Sequence, residues 1–542
     1  MPIPVARVRP DPAPAGRGAH AVLGVLGALG ALGALGTSWA CGSGGPAGPE
    51  GGAGRPNVLV LIADDLTRSV TGTWSPDVPP PIATPHLDAL AARGVVFERA
   101  LAPSPFCTAS RQAFLTGRWP HSIRVTQLLT RLDPAAPTLA TVFRGAGYAT
   151  AAVGKMHWFR KKWAAGDDYG FDHVVDKPEW FAWLTPEEDA AFEEYNRGWS
   201  REERRGWSMT NPECRPVPLD EDRQLASFLV TEALGWIDRQ ERPFLCFLSL
   251  YEPHPPYHFP PRLTGAVDHG SLDLPAVDPD ALARQSPGLA AAVRKQNRDR
   301  GELTDAVLSR IATSYLTSVL WLDEQVGRVL EHLGRAGRFD DTVVVLWSDN
   351  GCFLGERGLW GKNYPYREVA EVPLAIAGPG IAPRRTPALA SSIDVFPTLC
   401  ELAGIDVPAW VEGQSLAAVL AGGDRAGASA WCEFSGLAAT IQDERWKLFI
   451  GARADTGWDQ LYDLEQDPGE TTNRLGDPAL APVVEELVGR AHALLASTPA
   501  DGSQPGAWMP HPDRLTAVRQ ALSVVESSAS PPPPRRPDPT RR

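Results

Sequence analysis

An α/β fold built on a large, mostly parallel sheet, with a smaller C-terminal α+β subdomain, is predicted by three features of the chain. First, NVLVLI (from Asn57) and TVVVLW (from Thr342) are short, continuous and rich in β-branched residues, as strands covered on both faces should be. Second, helical segments alternate with such runs, as parallel βαβ connections require. Third, the character changes after Pro408, where short strand and turn segments give way to one last helix.

Taken in order, NVLVLI comes first, followed by the helix candidates HLDALAARG and APTLATVFRGAG, each ended by glycine. PFLCFLSL is a further apolar strand run, and SYLTSVLWLDEQVGRVLEHLGRAG is a long amphipathic helix that also stops at glycine. Beyond Pro408, ASAWCEFSG, AATIQDERWKLFIG and DQLYDLEQDPGE read as antiparallel strands with turns, and APVVEELVGRAHALLAS reads as a helix. Trp158, Trp163, Trp180, Trp183, Trp199 and Trp207 crowd one charged region. Such rings can wall a cleft, but large aromatics more often pack an insertion onto the core.

The two ends read differently from the body. Arg7, Arg9 and Arg17 precede the apolar stretch AVLGVLGALGALGALG, which ends at Ser38-Trp39-Ala40-Cys41. This is the pattern of an export signal, with possible lipidation of Cys41 and ordinary signal-peptidase cleavage as the alternative. The expected organisation is an export signal of lipoprotein type over 1–41 and a Gly/Pro-rich linker over 42–56. A catalytic domain over 57–421, a C-terminal subdomain over 422–500 and an extension with a disordered tail over 501–542 follow. The expected location is periplasmic or at the cell surface. At 542 residues, 43% hydrophobic and 22% charged, the chain is of globular composition. Its net charge of −13, without a basic block in the body, argues against nucleic-acid binding. Setting aside Cys41 and Cys107, five of the seven cysteines remain, an odd number without C-x-x-C spacing. That argues against a zinc site and against a fully paired disulfide framework, and leaves one unassigned disulfide open.

The chemistry is concentrated in a few short runs. SPFCTASRQAFLTGR carries Cys107, Ala109 and Arg111 as C-x-A-x-R, followed by L-T-G-R. If this segment opens a helix, residues 107 and 111 share a face and the helix N-terminus favours an anion. The strand beginning at Asn57 ends in Asp64-Asp65, and the strand beginning at Thr342 ends in Asp349-Asn350. Sites in open α/β sheets form at the carboxyl ends of strands, so these two pairs can meet. Three carboxylates and an amide oxygen suit a hard divalent cation, with Ca²⁺ placed ahead of Mg²⁺. Lys155 and His157 lie in GKMH, His254 in YEPHPPY, and Lys362 ends LGERGLWGK. Each alone is an ordinary polar residue; the set, in this order, is specific.

These runs resemble the type I, formylglycine-dependent sulfatases of the alkaline phosphatase-like superfamily. The likeness covers about 57 to 496, including LYDLEQDPGETTN. Ala109 stands where many members have Pro, and Asp349-Asn350 where others have Asp-His. The resemblance implies that a maturation enzyme oxidises Cys107 to Cα-formylglycine. Its hydrate attacks a sulfate ester, and collapse back to the aldehyde releases sulfate. It implies that Asp64, Asp65, Asp349, Asn350 and residue 107 hold the metal. Lys155 and Lys362 would neutralise the sulfate, Arg111 and His157 would orient the hydrate with His157 as base, and His254 with Lys362 would assist the leaving alkoxide. A sulfated carbohydrate or aryl sulfate is the expected substrate. The alternatives are a phosphodiester or phosphonate monoester hydrolase on the same fold, and a surface-tethered binding protein with a retired site.

Overall fold

The computed structural model describes residues 54–497, apart from 77–79, 129, 159–167, 198–213, 269, 271, 273, 301–303, 435–437 and 453–455. The expected export signal, Cys41, most of the linker, the C-terminal tail, Trp163, Trp199 and Trp207 lie outside the described residues. From Arg55 onward the described chain belongs to one compact unit.

Its centre is an eight-stranded sheet ordered β10-β2-β9-β6-β1-β5-β3-β4. The strands are β1 (Asn57–Ala63), β2 (Gly94–Leu101), β3 (Ala149–Gly154), β4 (His173–Val175), β5 (Phe244–Ser249), β6 (Thr342–Ser348), β9 (Leu374–Ala377) and β10 (Arg384–Ser391). Only β9 runs against its neighbours β2 and β6; the other pairings are parallel. This is the mostly parallel sheet that the strand runs predict.

Every residue of β1 is buried, because both faces of the sheet are covered. Leu59 and Leu61 face one core with Leu248, Leu346 and Leu316. Val58, Val60 and Ile62 face the other with Phe247, Phe114 and Phe396. The period of two along the strand thus divides one apolar run between two cores. On the first face lie the helices Leu225–Asp238 and Asp305–Arg335. The second helix starts nine residues before the amphipathic stretch seen in sequence, capped by Thr304, whose side chain accepts from Val307 N at 3.4 Å.

One expectation is corrected. Gly94 does not end the helix Pro85–Ala91; it opens β2. A Cβ there would lie 2.2 Å from the Ile376 carbonyl oxygen, so the glycine is required by close approach to β9.

The smaller unit is an antiparallel sheet, β11-β12-β13-β14 (Ala430–Phe434, Ala438–Gln442, Trp446–Gly451 and Gln460–Asp463). The helix Ala481–Ser497 lays Val484, Leu487, Val488 and Ala491 against Ile441, Leu448, Ile450 and Leu461. Each fully buried Val, Leu or Ile side chain here contributes about 1.5–3 kcal/mol, which holds this helix on the sheet. A two-stranded ribbon, β7 (Phe353–Leu354) and β8 (Trp360–Gly361), projects beyond β6. Trp158 packs with Tyr169 and Phe171, and Trp180 with Phe181 and Phe192, whereas Trp183 is exposed beneath the Arg223 guanidinium.

Candidate active site

The carboxyl ends of β1, β6, β5 and β3 converge at one edge of the sheet. Asp64 and Asp65 follow β1, Asp349 and Asn350 follow β6, Ser249 ends β5, and Lys155 and His157 follow β3. Parallel pairing puts these ends side by side: Ile62 pairs with Trp347, and Gly154 with Ser249. Gly154 has φ +100°, and a Cβ there would sit 1.9 Å from the Ser249 carbonyl oxygen. Glycine is therefore what lets the chain turn toward Lys155 at this point. Asp65 and His157 also hold positive φ, +68° and +62°, so backbone strain concentrates at the site.

Cys107 is the first residue of the helix Cys107–Thr116, and the whole helix is buried. Arg111 lies one turn on from Cys107, as the i, i+4 spacing predicts, and all of its donors but Nη2 meet protein acceptors. Its Nε donates to Asp349 Oδ2 at 2.6 Å, and its Nη1 donates to Ser249 Oγ at 2.7 Å and to the Lys155 carbonyl at 2.5 Å. Nη2 lies 3.6 Å from Asp64 Oδ1. Arg111 thereby ties together the ends of β1, β3, β5 and β6.

Asp64, Cys107 and Asp349 bring their side-chain atoms within 4.8 Å of one another, and Asp64, Asp65 and His254 do likewise. Lys155 pairs with Asp64 Oδ2, and Lys362 Nζ donates to Asp65 Oδ1 at 2.5 Å. Asp349 Oδ1 accepts from the Asp65 and Asn350 backbones at 3.0 and 2.9 Å. Asn350 Nδ2 donates to Asp65 Oδ1 at 2.6 Å. His254 Nδ1 donates to the Pro255 carbonyl at 2.6 Å, leaving Nε2 turned to Asp65, 4.0 Å from Oδ2. All ten residues expected at the site from 64 to 362 lie in this one region.

The electrostatics are those of a buried, crowded cluster. Burial raises Asp349 to about 7, with Asp64 and Asp65 adding to the rise against Arg111. Burial also acts upward on Asp64, but Lys155, His254 and Arg111 outweigh it and hold that carboxyl well below its usual range. Burial, with Lys155, pushes His157 down to about 2, and the same pair of causes pushes His254 down to about 4. The Cys107 thiol is raised by burial, the opposite of an activated thiolate.

The donor set fits a divalent cation. Asp64 Oδ1 and Asn350 Oδ1 are fully buried acceptors without a hydrogen bond, each an expensive state unless a cation or donor meets it. Asp64, Asp65, Asp349 and Asn350 offer oxygen alone, as Ca²⁺ and Mg²⁺ prefer. Among the described residues, Cys107, Cys214, Cys246, Cys352, Cys400 and Cys432 are free thiols.

Some supporting residues were not read from sequence. Ser249 bridges Arg111 and the Lys155 carbonyl, donating to the latter at 2.6 Å. Tyr315 donates to the Asp65 carbonyl at 2.8 Å and accepts from Thr67 N at 2.9 Å. Ser348 accepts from Leu66 N at 3.0 Å. A polar residue closing an apolar strand was the available signal for Ser249 and Ser348; Tyr315, on a helix far along the chain, offered none.

Comparison with known proteins gives the family. The sulfatase family model matches residues 56–405, and the model of the N-sulphoglucosamine sulphohydrolase C-terminal region matches residues 355–496. A choline-sulfatase of Rhizobium meliloti (strain 1021) is 31% identical over 450 residues, 78% of this chain and 83% of that one. An arylsulfatase of Clostridium perfringens (strain 13 / Type A) is 25% identical, covering 77% of this chain and 90% of its own. The crystal structure of the phosphonate monoester hydrolase of Agrobacterium radiobacter is similar with a TM-score of 0.68 and 26% identity, over 82% of this chain and 96% of that one. The chain belongs to the sulfatase family, the sulfuric ester hydrolases of the alkaline phosphatase-like superfamily.

Proposed function

We propose that this enzyme hydrolyses a sulfate monoester of a carbohydrate, aryl or small alkyl alcohol, using formylglycine derived from Cys107 and one divalent cation, Ca²⁺ ahead of Mg²⁺. The observation that carries this reading is the placement of Cys107. It opens a buried helix, sits against Asp64 and Asp349, and has its thiol raised rather than activated. A thiol so placed is a poor nucleophile, and its conversion to a hydrated aldehyde supplies an attacking hydroxyl. When bound by Asp64, Asp65, Asp349 and Asn350, the cation supplies positive charge beside the sulfate oxygens.

The chain's own residues do the rest. Lys155 and Lys362 carry the cationic charge that meets the sulfate. Arg111 keeps Asp349 and the strand ends in register around position 107. His157, held neutral by burial, accepts a proton from the oxygen at position 107. His254 and Lys362 face the leaving oxygen from the opposite side, next to Asp65. A maturation enzyme acting on C-x-A-x-R is the partner this scheme needs, and export with a lipid anchor at Cys41 is the proposed cellular setting. A mature N-terminus at Cys41 carrying fatty acid would support that setting, and an unlabelled terminus elsewhere would remove the anchor.

Peptide mass spectrometry of active enzyme tests the central claim. The expected result is an aldehyde or its hydrate at position 107; an intact thiol in fully active enzyme would overturn it. A panel of aryl, choline and sugar sulfates assigns the alcohol. The likeness to a phosphonate monoester hydrolase favours a second reading on the same residues. Comparing kcat/KM for an aryl sulfate and a phenylphosphonate monoester separates the two.

A further inference from the structure

Lys362 stands on a ribbon that the large sheet itself does not hold. It directly follows β8, and the turn between β7 and β8 carries Arg357 at φ +56°, with its side chain only 7% exposed. That guanidinium reaches into the C-terminal subdomain. Its Nη1 donates to the Glu470 carbonyl at 2.7 Å and its Nη2 to the Gly469 carbonyl at 2.6 Å. Nε donates to Glu368 Oε2 at 3.3 Å, beyond Lys362 in the chain. Arg357 therefore spans both sides of the segment that presents Lys362.

The receiving end is equally well built. Glu470 is fully buried; its Oε1 accepts from Lys447 Nζ on β13 at 2.7 Å, and its Oε2 accepts from Arg367 N at 3.1 Å. Gln285 Nε2 donates to the Glu470 carbonyl at 2.6 Å. Asp467 closes the turn beneath, accepting from Thr471 N and Thr472 N, each at 2.7 Å. The run DPGE, which the catalytic reading does not use, is thus a rigid receptor for Arg357.

We propose that Arg357 and Glu470 are positioning residues that fix Lys362 in the active site, so that the C-terminal subdomain sets the catalytic ammonium through the β7–β8 turn. The inference rests on the role given to Lys362 above. Arg357 spreads the donors of one rigid guanidinium over two backbone carbonyls and the Glu368 carboxylate, which determines where the turn lies as well as that it is attached. Lys362, five residues beyond Arg357, then has little freedom in its approach to Asp65.

A double-mutant cycle on p-nitrophenyl sulfate tests it, with wild type, Arg357→Met, Lys362→Ala and the double variant. Methionine keeps an unbranched side chain over Tyr366, where the guanidinium carbon now lies 4.2 Å from the ring centroid, and removes the donors. Arg357→Met should lower kcat/KM about a hundredfold through misplacement of the ammonium. In the Lys362→Ala background it should lower it no further, because nothing remains to misplace. Arg357→Lys, which keeps charge and a donor, should recover most of the loss. If Arg357→Met does not fold by near-UV circular dichroism, Arg357→Gln, which stays polar but is too short to bridge the Gly469 and Glu470 carbonyls, is carried through the same cycle. Losses that multiply in the double variant, or an unchanged kcat/KM in the single one, overturn the proposal. Failure of the sulfatase reading shows separately, as wild-type enzyme that turns over phosphonate monoesters and not sulfates; the cycle is then read on those.

Discussion

Two clusters of buried charge in this molecule, the DPGE junction and the edge of the large sheet, are handled in opposite ways. In the DPGE junction, both Glu470 oxygens and its carbonyl are met by donors, and Lys447 and Glu470 are both fully buried. At the edge of the large sheet, Asp64 Oδ1, Arg111 Nη2 and Asn350 Oδ1 are as deeply buried and lack hydrogen bonds. A saturated cluster holds structure, whereas an unsaturated one keeps valence for a cation and an anionic substrate. On the reading proposed above, the difference separates the part that positions from the part that reacts.

The largest effect that would break this distinction concerns Cys107. Cys107→Ala is expected to abolish turnover while shifting Tm little, since it removes a reacting atom and only one buried sulfur. Substantial activity in that variant would make the cluster something other than the reaction centre.

Asp349→Ala comes next. It removes the carboxylate on which Arg111 and the backbones of Asp65 and Asn350 converge, and kcat/KM should fall by about 10³-fold or more. Bound Ca²⁺ or Mg²⁺, measured by elemental analysis, should fall with it. Removing the cation from wild-type protein with a chelator should lower Tm, because three carboxylates are left facing each other; a Tm indifferent to chelation counts against the cation site.

The junction should respond in stability first. Glu470→Gln strands the Lys447 ammonium without its partner, and loss of one member of a buried pair costs about 3–5 kcal/mol. Denaturant unfolding measures it, and a cost under about 1 kcal/mol would show that the junction is not the tight cluster described.

The smallest effect is one of pH. His121 lies buried against Glu433, and although burial acts downward, Glu433 raises its pKa above the usual 6.5. A group whose folded pKa is raised adds stability that is fully present below the unfolded value near 6.5 and is lost as pH rises through the folded value. Unfolding free energy should therefore decline over that interval in wild type, and His121→Asn should flatten that part of the profile. Denaturant unfolding of both proteins at a series of pH values measures it. An identical profile in the variant would assign the decline to other groups.

Much of the site was legible because its residues close strands or open a helix, and those punctuation points show in the local pattern. Asp64-Asp65 and Asp349-Asn350 follow unbroken apolar runs, and Cys107 begins a helix that ends at Gly117 with φ +64°. Gly94 was misread because a glycine after a helical run looks the same whether it caps the helix or makes room for a neighbouring strand. The carbonyl that excludes a side chain there belongs to Ile376, far along the chain.

Chain-local physics therefore determined the α/β class, the mostly parallel sheet, the antiparallel C-terminal unit and the strand-end and helix-start positions of the candidate site residues. Periodicity, turn chemistry and motif spacing act within a few residues and need no knowledge of the fold. Tertiary structure alone decided which donor meets which acceptor: Arg111 with Asp349 across 238 positions, Lys362 with Asp65 across 297, and Arg357 with the Glu470 carbonyl across 113. A hydrogen bond is short and directional, so its partner is set by where folded elements bring atoms, and no local pattern encodes that meeting.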